Sequence, residues 1–344
     1  MLDPTPLVPI GWNDRWEEKA EAATAALEAS GVAEPVVGRV ARVDRRIVSV
    51  ITADGTVRVG TGPDPVATGD WVLFADGDTM PEVASVLPRH SAFVRGDPMD
   101  GTARNAQVVA ANVDTVFVTQ SFENGPNLRR LERELVLAFE SGADPVIVLT
   151  KADLAAAPVD VTAVERTASG APVVVTSTVS GVGIDALRRF TTTGRTVALI
   201  GASGVGKSTL VNALVGADVQ ATGEVRARDQ RGRHTTTARE LVLLPDGGVL
   251  VDTPGLRAVT LWVADEGFRR AFADIEALAP GCRFHDCAHD REPGCAVQAA
   301  VGRGELDAAR VLHYRELDAE LDDVARRERE REEKNARGRR PTPN

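Results

Sequence analysis

Residues 201–208 read GASGVGKS and match G-x-x-x-x-G-K-[ST], a loop whose backbone N–H groups cradle phosphate oxygens. The run RTVALI (195–200) before it is an apolar strand, and a helix begins near Lys207. That is the strand–loop–helix setting the motif requires. Gly201 and Gly206 let the backbone of Ala202, Ser203, Gly204 and Val205 wrap a β-phosphate. Lys207 reaches the β- and γ-phosphates, Ser208 offers a hydroxyl to Mg²⁺, and Thr209 carries the loop into the helix. Such a loop commits the chain to an open, mostly parallel α/β sheet with its site at the strands' carboxyl ends. It usually opens its domain, yet here about 200 residues precede it.

Some of those residues also look like nucleotide-site residues. LTKADL (149–154) ends the buried strand PVIVL, and in it Asp153 can accept from guanine N1–H and the 2-amino group while the stem of Lys151 lies along the base. Adenine offers no such donor pair. VTSTVSG (175–181) ends the next strand, and its Ser177 belongs to a loop suited to backing up base recognition. Downstream, VDTPGLR (251–257) follows the hairpin ELVLLPDGGVLV about forty residues after the phosphate loop. It places Asp252 near Mg²⁺ and the Gly255 N–H near a γ-phosphate. Between the two, RGRHTTTARE (231–240) is a polar, Thr-rich stretch of the kind ordered by γ-phosphate and Mg²⁺.

These are the parts of a GTPase in an unusual order. The customary order is phosphate loop, switch loop, Asp-x-x-Gly, base motif, Ser-rich loop; here the last two come first. Cutting the customary chain after Asp-x-x-Gly and joining its old ends yields this order, so the expected domain is circularly permuted. Lysine usage agrees. Of 40 Lys plus Arg only four are lysines, Lys19, Lys151, Lys207 and Lys334, and two of these fall in nucleotide motifs, where a compact ammonium does what Arg does badly.

The flanking segments are of other kinds. Residues 14–30 read as a helix capped by Asp14 and closed by Gly31. Five short β-rich runs between 36 and 88 fit a small OB-like barrel. Its aromatics are few (Trp71, Phe74, Phe93), which favours backbone and shape contacts should it touch RNA. Strands stop after 261, and a helix is expected from about 304 to 334. The expected division is a helical extension (1–33), the barrel (34–100), the permuted α/β domain (101–261), a helical metal-binding domain (262–335) and a disordered tail (336–344). The three cysteines lie within one short stretch as C-x4-C-x-H-x5-C: Cys282, Cys287, His289 and Cys295. Three thiolates and an imidazole make a closed tetrahedral zinc set, so one structural zinc is expected; His285 competes as the imidazole. A net charge of −10 argues against general basic coating of the surface, and the N-terminus lacks a secretory pattern, so a cytoplasmic protein without a membrane partner is expected.

The motif order, the barrel and the segment CRFHDCAHDREPGCAV together resemble the RsgA-type (YjeQ) small-subunit-dependent GTPases over nearly the whole chain. The resemblance implies a GTPase acting late in 30S maturation as an assembly checkpoint or in releasing other factors, with 30S-stimulated hydrolysis, 16S rRNA and the 30S subunit as partners, and a monomer. It also implies that His234 activates the attacking water, and it favours His289 over His285 for zinc. The chain differs from the usual base motif in having Thr150 where Asn is common. A GTP-gated, zinc-containing RNA clamp with little turnover is the alternative.

Overall fold

The computed structural model describes residues 5–32, 34–75, 80–95, 107–155, 160–216, 240–245, 247–252 and 264–338. The chain begins with a 3-10 turn, Thr5–Ile10, and helix α1, Asp14–Ala29. The cap of α1 is Asn13 rather than Asp14: the Asn13 side chain accepts the Arg15 N–H at 3.1 Å, and Asp14 is already helical. The expected Gly31 stop is present. At φ +94° this residue donates to Glu28 O, while Val32 donates to Leu27 O, the paired bonds of a Schellman cap.

Strands β1 (Val36–Asp44), β2 (Ile47–Thr52), β3 (Gly55–Gly60), β4 (Trp71–Phe74) and β5 (Val83–Val86) form the barrel. β1 pairs antiparallel with β2 and β4, β2 with β3, and β4 with β5; a parallel bridge from Gly60 to Glu82 brings the end of β3 to the start of β5. The ring therefore runs β1-β2-β3-β5-β4, the OB connection. A register shift between Val40 and Arg42 lets β1 serve both neighbours. Val40, Val48, Val50, Val59, Val72, Phe74 and Val83 fill the interior.

A hairpin of β6 (Ala92–Arg95) and β7 (Gln107–Ala111) leads into the α/β part. There β8 (Thr115–Ser121), α2 (Leu128–Glu140), β9 (Asp144–Thr150), α3 (Thr162–Thr167), β10 (Val173–Val175), α4 (Ile184–Arg188), β11 (Thr196–Gly201) and α5 (Lys207–Val215) follow, then β12 (Glu240–Leu243) and β13 (Val249–Asp252). The parallel order is β10-β9-β8-β11-β13, with β12 antiparallel outside β13. β11 thus enters between β8 and β13, on the far side of β8 from β9 and β10, as the permutation requires. Successive β8 residues feed opposite faces: Val116 and Val118 join Leu131 and Leu135 of α2, while Phe117 joins Leu187, Leu210 and Leu214 of α4 and α5. One feature lay outside the sequence reading. β1 of the barrel pairs with β12 at Arg42 and Glu240, so barrel and α/β sheet are one continuous surface.

The C-terminal part is helical: α6 (Asp265–Ala271), α7 (Ala273–Leu278), α8 (Ala296–Gly302) and α9 (Ala308–Gly338). The last helix starts later than expected because the Asp307 carboxylate accepts the Ala309 N–H at 2.8 Å and caps it there. α6 lies close on α2 at Gly267, where a Cβ would come within 2.4 Å of Val136 O. Among the described residues no helix is long and apolar enough to cross a membrane.

The N-terminal extension is fastened to the barrel. The rings of Trp12 and Trp16 stand 5.0 and 6.0 Å from that of Trp71. Beneath them Arg39 is 1 % exposed and donates to three backbone carbonyls: Ile10 of the extension, Gly69 of the barrel and Asn112 before β8. Burial pulls its pKa down to about 10, against the raising pull of Asp114 and Asp70, so the guanidinium stays charged at neutral pH. One side chain therefore joins three segments. Replacing it by an apolar chain leaves buried carbonyls without donors, at about 1–3 kcal/mol for each unpaired group. Arg39→Met is expected to lower unfolding free energy by several kcal/mol in urea titrations. A midpoint equal to that of the parent would remove this role.

Candidate functional site

Because β8, β9, β10, β11 and β13 are parallel, their carboxyl ends share one edge of the sheet. The phosphate loop leaves β11 there. Gly201 (φ +141°), Gly204 (+83°) and Gly206 (+99°) hold conformations that side chains avoid. At Gly201 a Cβ would also sit 2.5 Å from Thr119 O. Gly206 precedes α5, whose first turn contains Lys207, Ser208 and Thr209. The amides of a first turn have no intrahelical acceptor and lie at the positive end of the helix dipole, so they suit an anion. Lys207 Nζ lies 2.7 Å from Gly201 O and also donates to Ala202 O, folded over its own loop.

The base-motif residues stand at the neighbouring strand ends. Thr150 closes β9 and is 4 % exposed, so it does not present its side chain to a base. Its hydroxyl lies 3.1 Å from Gln120 O at the end of β8 and also meets Val205 O in the phosphate loop. The residue that departs from the usual motif is a strut between the two halves of the site. Lys151 follows at φ +56° and pairs with Glu123. A left-handed lysine costs about 1–2 kcal/mol, which the flanking bonds must offset. Asp153 is exposed on a 3-10 turn, Ala152–Leu154, and its carboxylate accepts from the buried Ser177 hydroxyl at 2.5 Å. The Ser177 oxygen in turn accepts the Ser180 N–H at 3.2 Å. Ser177 thereby fixes the orientation of Asp153 from below and leaves the rest of the carboxylate free for a ligand.

Asp252 is the last residue of β13, beside β11. Gly255, Leu256 and His234, with the whole Thr-rich stretch from 231 to 239, lie outside the described residues.

Two residues next to the site were missed from the sequence. The Gln120 carboxamide donates to Glu134 Oε2 of α2 at 2.7 Å, and its oxygen accepts the Asn127 N–H at 3.4 Å. Burial pushes the Glu134 pKa up to about 7, opposed by the Gln120 bond and by the charges of Arg130 and Lys207. A carboxyl with its pKa raised by burial therefore stands within the field of the phosphate-loop lysine. The local pattern of LRRLERELVLAFE does not mark Glu134, which lies off the apolar stripe of Leu128, Leu131, Leu135 and Phe139.

The cysteine segment forms a compact cluster at the start of α8. Ligand atoms of Cys282, Cys287, His289 and Cys295 all lie within 4.8 Å of one another. Cys282 Sγ is 3.9 Å from Cys295 Sγ, and His289 Nδ1 is 3.6 and 3.5 Å from the same two sulfurs. A tetrahedral ion bonded at about 2.3 Å to sulfur and about 2.0 Å to nitrogen sets S···S near 3.8 Å and S···N near 3.5 Å. Cys282, His289 and Cys295 already have those spacings, and with Cys287 the cluster can hold a metal. His285, the competing imidazole, has a 97 % exposed side chain and faces Asp286 instead. The Ala296 and Gln298 N–H groups of α8 each point at a cysteine sulfur at 3.4 Å, which favours thiolates.

Known proteins share this arrangement. A family model described as RsgA GTPase matches residues 86–262. A Streptomyces avermitilis protein named small ribosomal subunit biogenesis GTPase RsgA is 47 % identical over 326 residues, covering 91 % of this chain and 85 % of its own. A Methanosarcina acetivorans protein of the same name is 41 % identical, covering 89 % and 84 %. Among solved structures, YjeQ from Thermotoga maritima matches with a TM-score of 0.61 at 26 % identity, over 84 % of this chain and 99 % of that one. The structure of YloQ, titled a circularly permuted GTPase, matches in fold with a TM-score of 0.58 at 22 % identity, over 85 % and 96 %.

Proposed function

Because this chain belongs to the RsgA GTPase family, we propose that it hydrolyses GTP to GDP and phosphate in late maturation of the small ribosomal subunit. The observation that carries the proposal is the meeting of the phosphate loop with the Asp153–Ser177 pair at one sheet edge, tied through the Thr150 hydroxyl. In this reading Asp153 accepts from guanine N1–H and the 2-amino group, Ser177 holds it in place, and the Lys151 stem lies on the base. Residues 201–209 enclose the phosphates. Lys207 exchanges its carbonyl partners for phosphate oxygens. Ser208 and Asp252 would hold Mg²⁺, which would supply charge neutralisation at the phosphates. Gly255 donates to the γ-phosphate. The position after Asp-x-x-Gly, where many GTPases carry a water-orienting Gln, is Leu256, which cannot do that work. Positioning of the attacking water falls to His234.

The metal cluster is assigned to one structural zinc, held by Cys282, Cys287, His289 and Cys295. Its four ligands leave no open position for catalysis. The partners are the 30S subunit and its 16S rRNA, and the protein acts as a cytoplasmic monomer. Its working divisions are the extension (1–33), barrel (34–100), permuted GTPase domain (101–261), zinc-bearing domain (262–335) and tail (336–344).

Three measurements test this reading. Purified 30S subunits are expected to raise GTP turnover about tenfold or more, equivalent to about 1.4 kcal/mol of barrier. His234→Ala should lose most of that stimulation with GTP affinity nearly unchanged. Equal kcat with 30S for parent and variant would exclude the role of His234, and turnover indifferent to 30S would favour a GTP-gated RNA clamp. Asp153→Asn should weaken GTP and GDP binding strongly and improve xanthine nucleotides relative to guanine; unaltered GTP binding would refute the base assignment. Metal analysis of the freshly purified protein should return one zinc per chain, and Cys287→Ser should lose it. Parent protein without zinc would end that assignment.

A further inference from the structure

The amino-terminal edge of the parallel sheet holds a second cavity, of about 450 Å³. Thr115 and Asp144, the first residues of β8 and β9, line it. β8 then runs seven residues to the nucleotide edge. At about 3.3 Å per residue that separates the two sites by about 20 Å. The volume falls in the range of ligand pockets.

Three arginines from separate elements converge on this cavity: Arg189 after α4, Arg195 before β11 and Arg270 in α6. The Arg270 guanidinium lies 4.4 Å from the ring centroid of Phe139, which also lines the cavity, and Phe190 forms a second aromatic wall. Neither Arg189 nor Arg270 is in an ion pair with a described carboxylate. Arg195 reaches Asp114 only at 3.9 Å, with 58 % of its side chain exposed. Asp144 is the one carboxylate in the lining. With Asp114 beside Arg195 counted, three cations and two anions leave a local balance of about +1 at this cavity, in a chain whose formal net charge is −10. Three guanidinium groups facing one space repel each other, and an anion entering it removes that repulsion. Planar guanidinium forks match phosphate oxygens, and aromatic walls match a ribose or base. Exposed arginines spread over three elements around an open mouth suit a continuous backbone better than one small ion.

We propose that this cavity seats a segment of single-stranded RNA, with Arg189, Arg195 and Arg270 taking phosphodiester oxygens and Phe190 flanking a base or ribose. The identity of that RNA as part of the small subunit rests on the function proposed above; the binding chemistry does not. The site gives the α/β domain its own hold on RNA, on the side away from the nucleotide and beside the helix that leads into the metal-bearing region.

The test is fluorescence anisotropy of a short labelled oligouridylate against the full chain over a series of KCl concentrations. Three phosphate contacts at about 0.7 each predict that Arg189→Gln/Arg195→Gln/Arg270→Gln lowers the slope of log K against log salt by about 2. The variant should bind about tenfold or more weakly at the highest salt where the parent still binds, and Asp144→Asn should bind more tightly than the parent. GTP titrations of both variants should match the parent, which shows that they fold. Equal slopes and affinities for parent and triple variant would overturn the proposal, as would a parent that does not bind the oligomer. Displacement by uridine 5′-monophosphate as effective as by unlabelled oligomer would overturn the assignment to an RNA segment. The titration contains no 30S and no GTP, so it fails or succeeds separately from the turnover test.

Discussion

The nucleotide site depends on one hydroxyl. Permutation sets the loops proposed to read the base ahead of the phosphate loop and delivers them on strands of different origin in the chain. Strand pairing aligns those strands to within a residue, but the loops at their ends need a tie of their own. The Thr150 hydroxyl has one proton and two carbonyls in reach, Gln120 O and Val205 O. One side chain thus sets the spacing between base pocket and phosphate pocket. Gly206 answers it from the other side, since a Cβ there would lie 3.4 Å from the same oxygen.

Helix α2 extends this constraint to the C-terminal region. Glu132 and Glu134 are two positions apart, about 200° around the helix, and so face opposite ways. Glu134 holds Gln120 at the nucleotide edge. Glu132, with its pKa raised by burial against the pull of Arg310 and His313, joins both residues of α9 at 3.0 and 2.8 Å. Arg310 continues to Asp274 at 2.7 Å and to Ala271 O at 2.8 Å, with its guanidinium over the Phe272 ring. Each of the three nitrogens of that buried cation points at an acceptor, the condition under which a buried ion pair is tolerated. The helices around the cysteine cluster are therefore seated on the same helix whose Glu134 holds Gln120.

Much of this was legible in the residues. The buried strands announced themselves as short apolar runs, the glycines of the phosphate loop as positions needing positive φ, and the cysteine spacing as a ligand set. The barrel's five runs alternate with turn residues, and its ring closes as an OB barrel does. What escaped had a common cause: it depends on partners far apart in the chain. The Arg39 clamp joins residues 10, 69 and 112, the β1–β12 pairing joins 42 and 240, and Arg310 reaches back to 132. No local period encodes such contacts. The cap at Asn13 rather than Asp14 is a smaller error of the same local reading, because both residue types cap well and only backbone angles separate them. Thr150 read as a departure from a motif; its neighbours in space make it a strut.

The strand order has a consequence for how the chain is made. Synthesis releases β8, β9 and β10 before β11, and β13 last, while the sheet needs β11 beside β8 and β13 beside β11. The strand ends proposed to read the base therefore precede the phosphate loop in synthesis, and about thirty residues separate Ser177 from Lys207. At about 5–20 residues per second that is an interval of about 1.5–6 s before the phosphate loop joins them. The two halves of the nucleotide site thus emerge in sequence, in the reverse of the customary order.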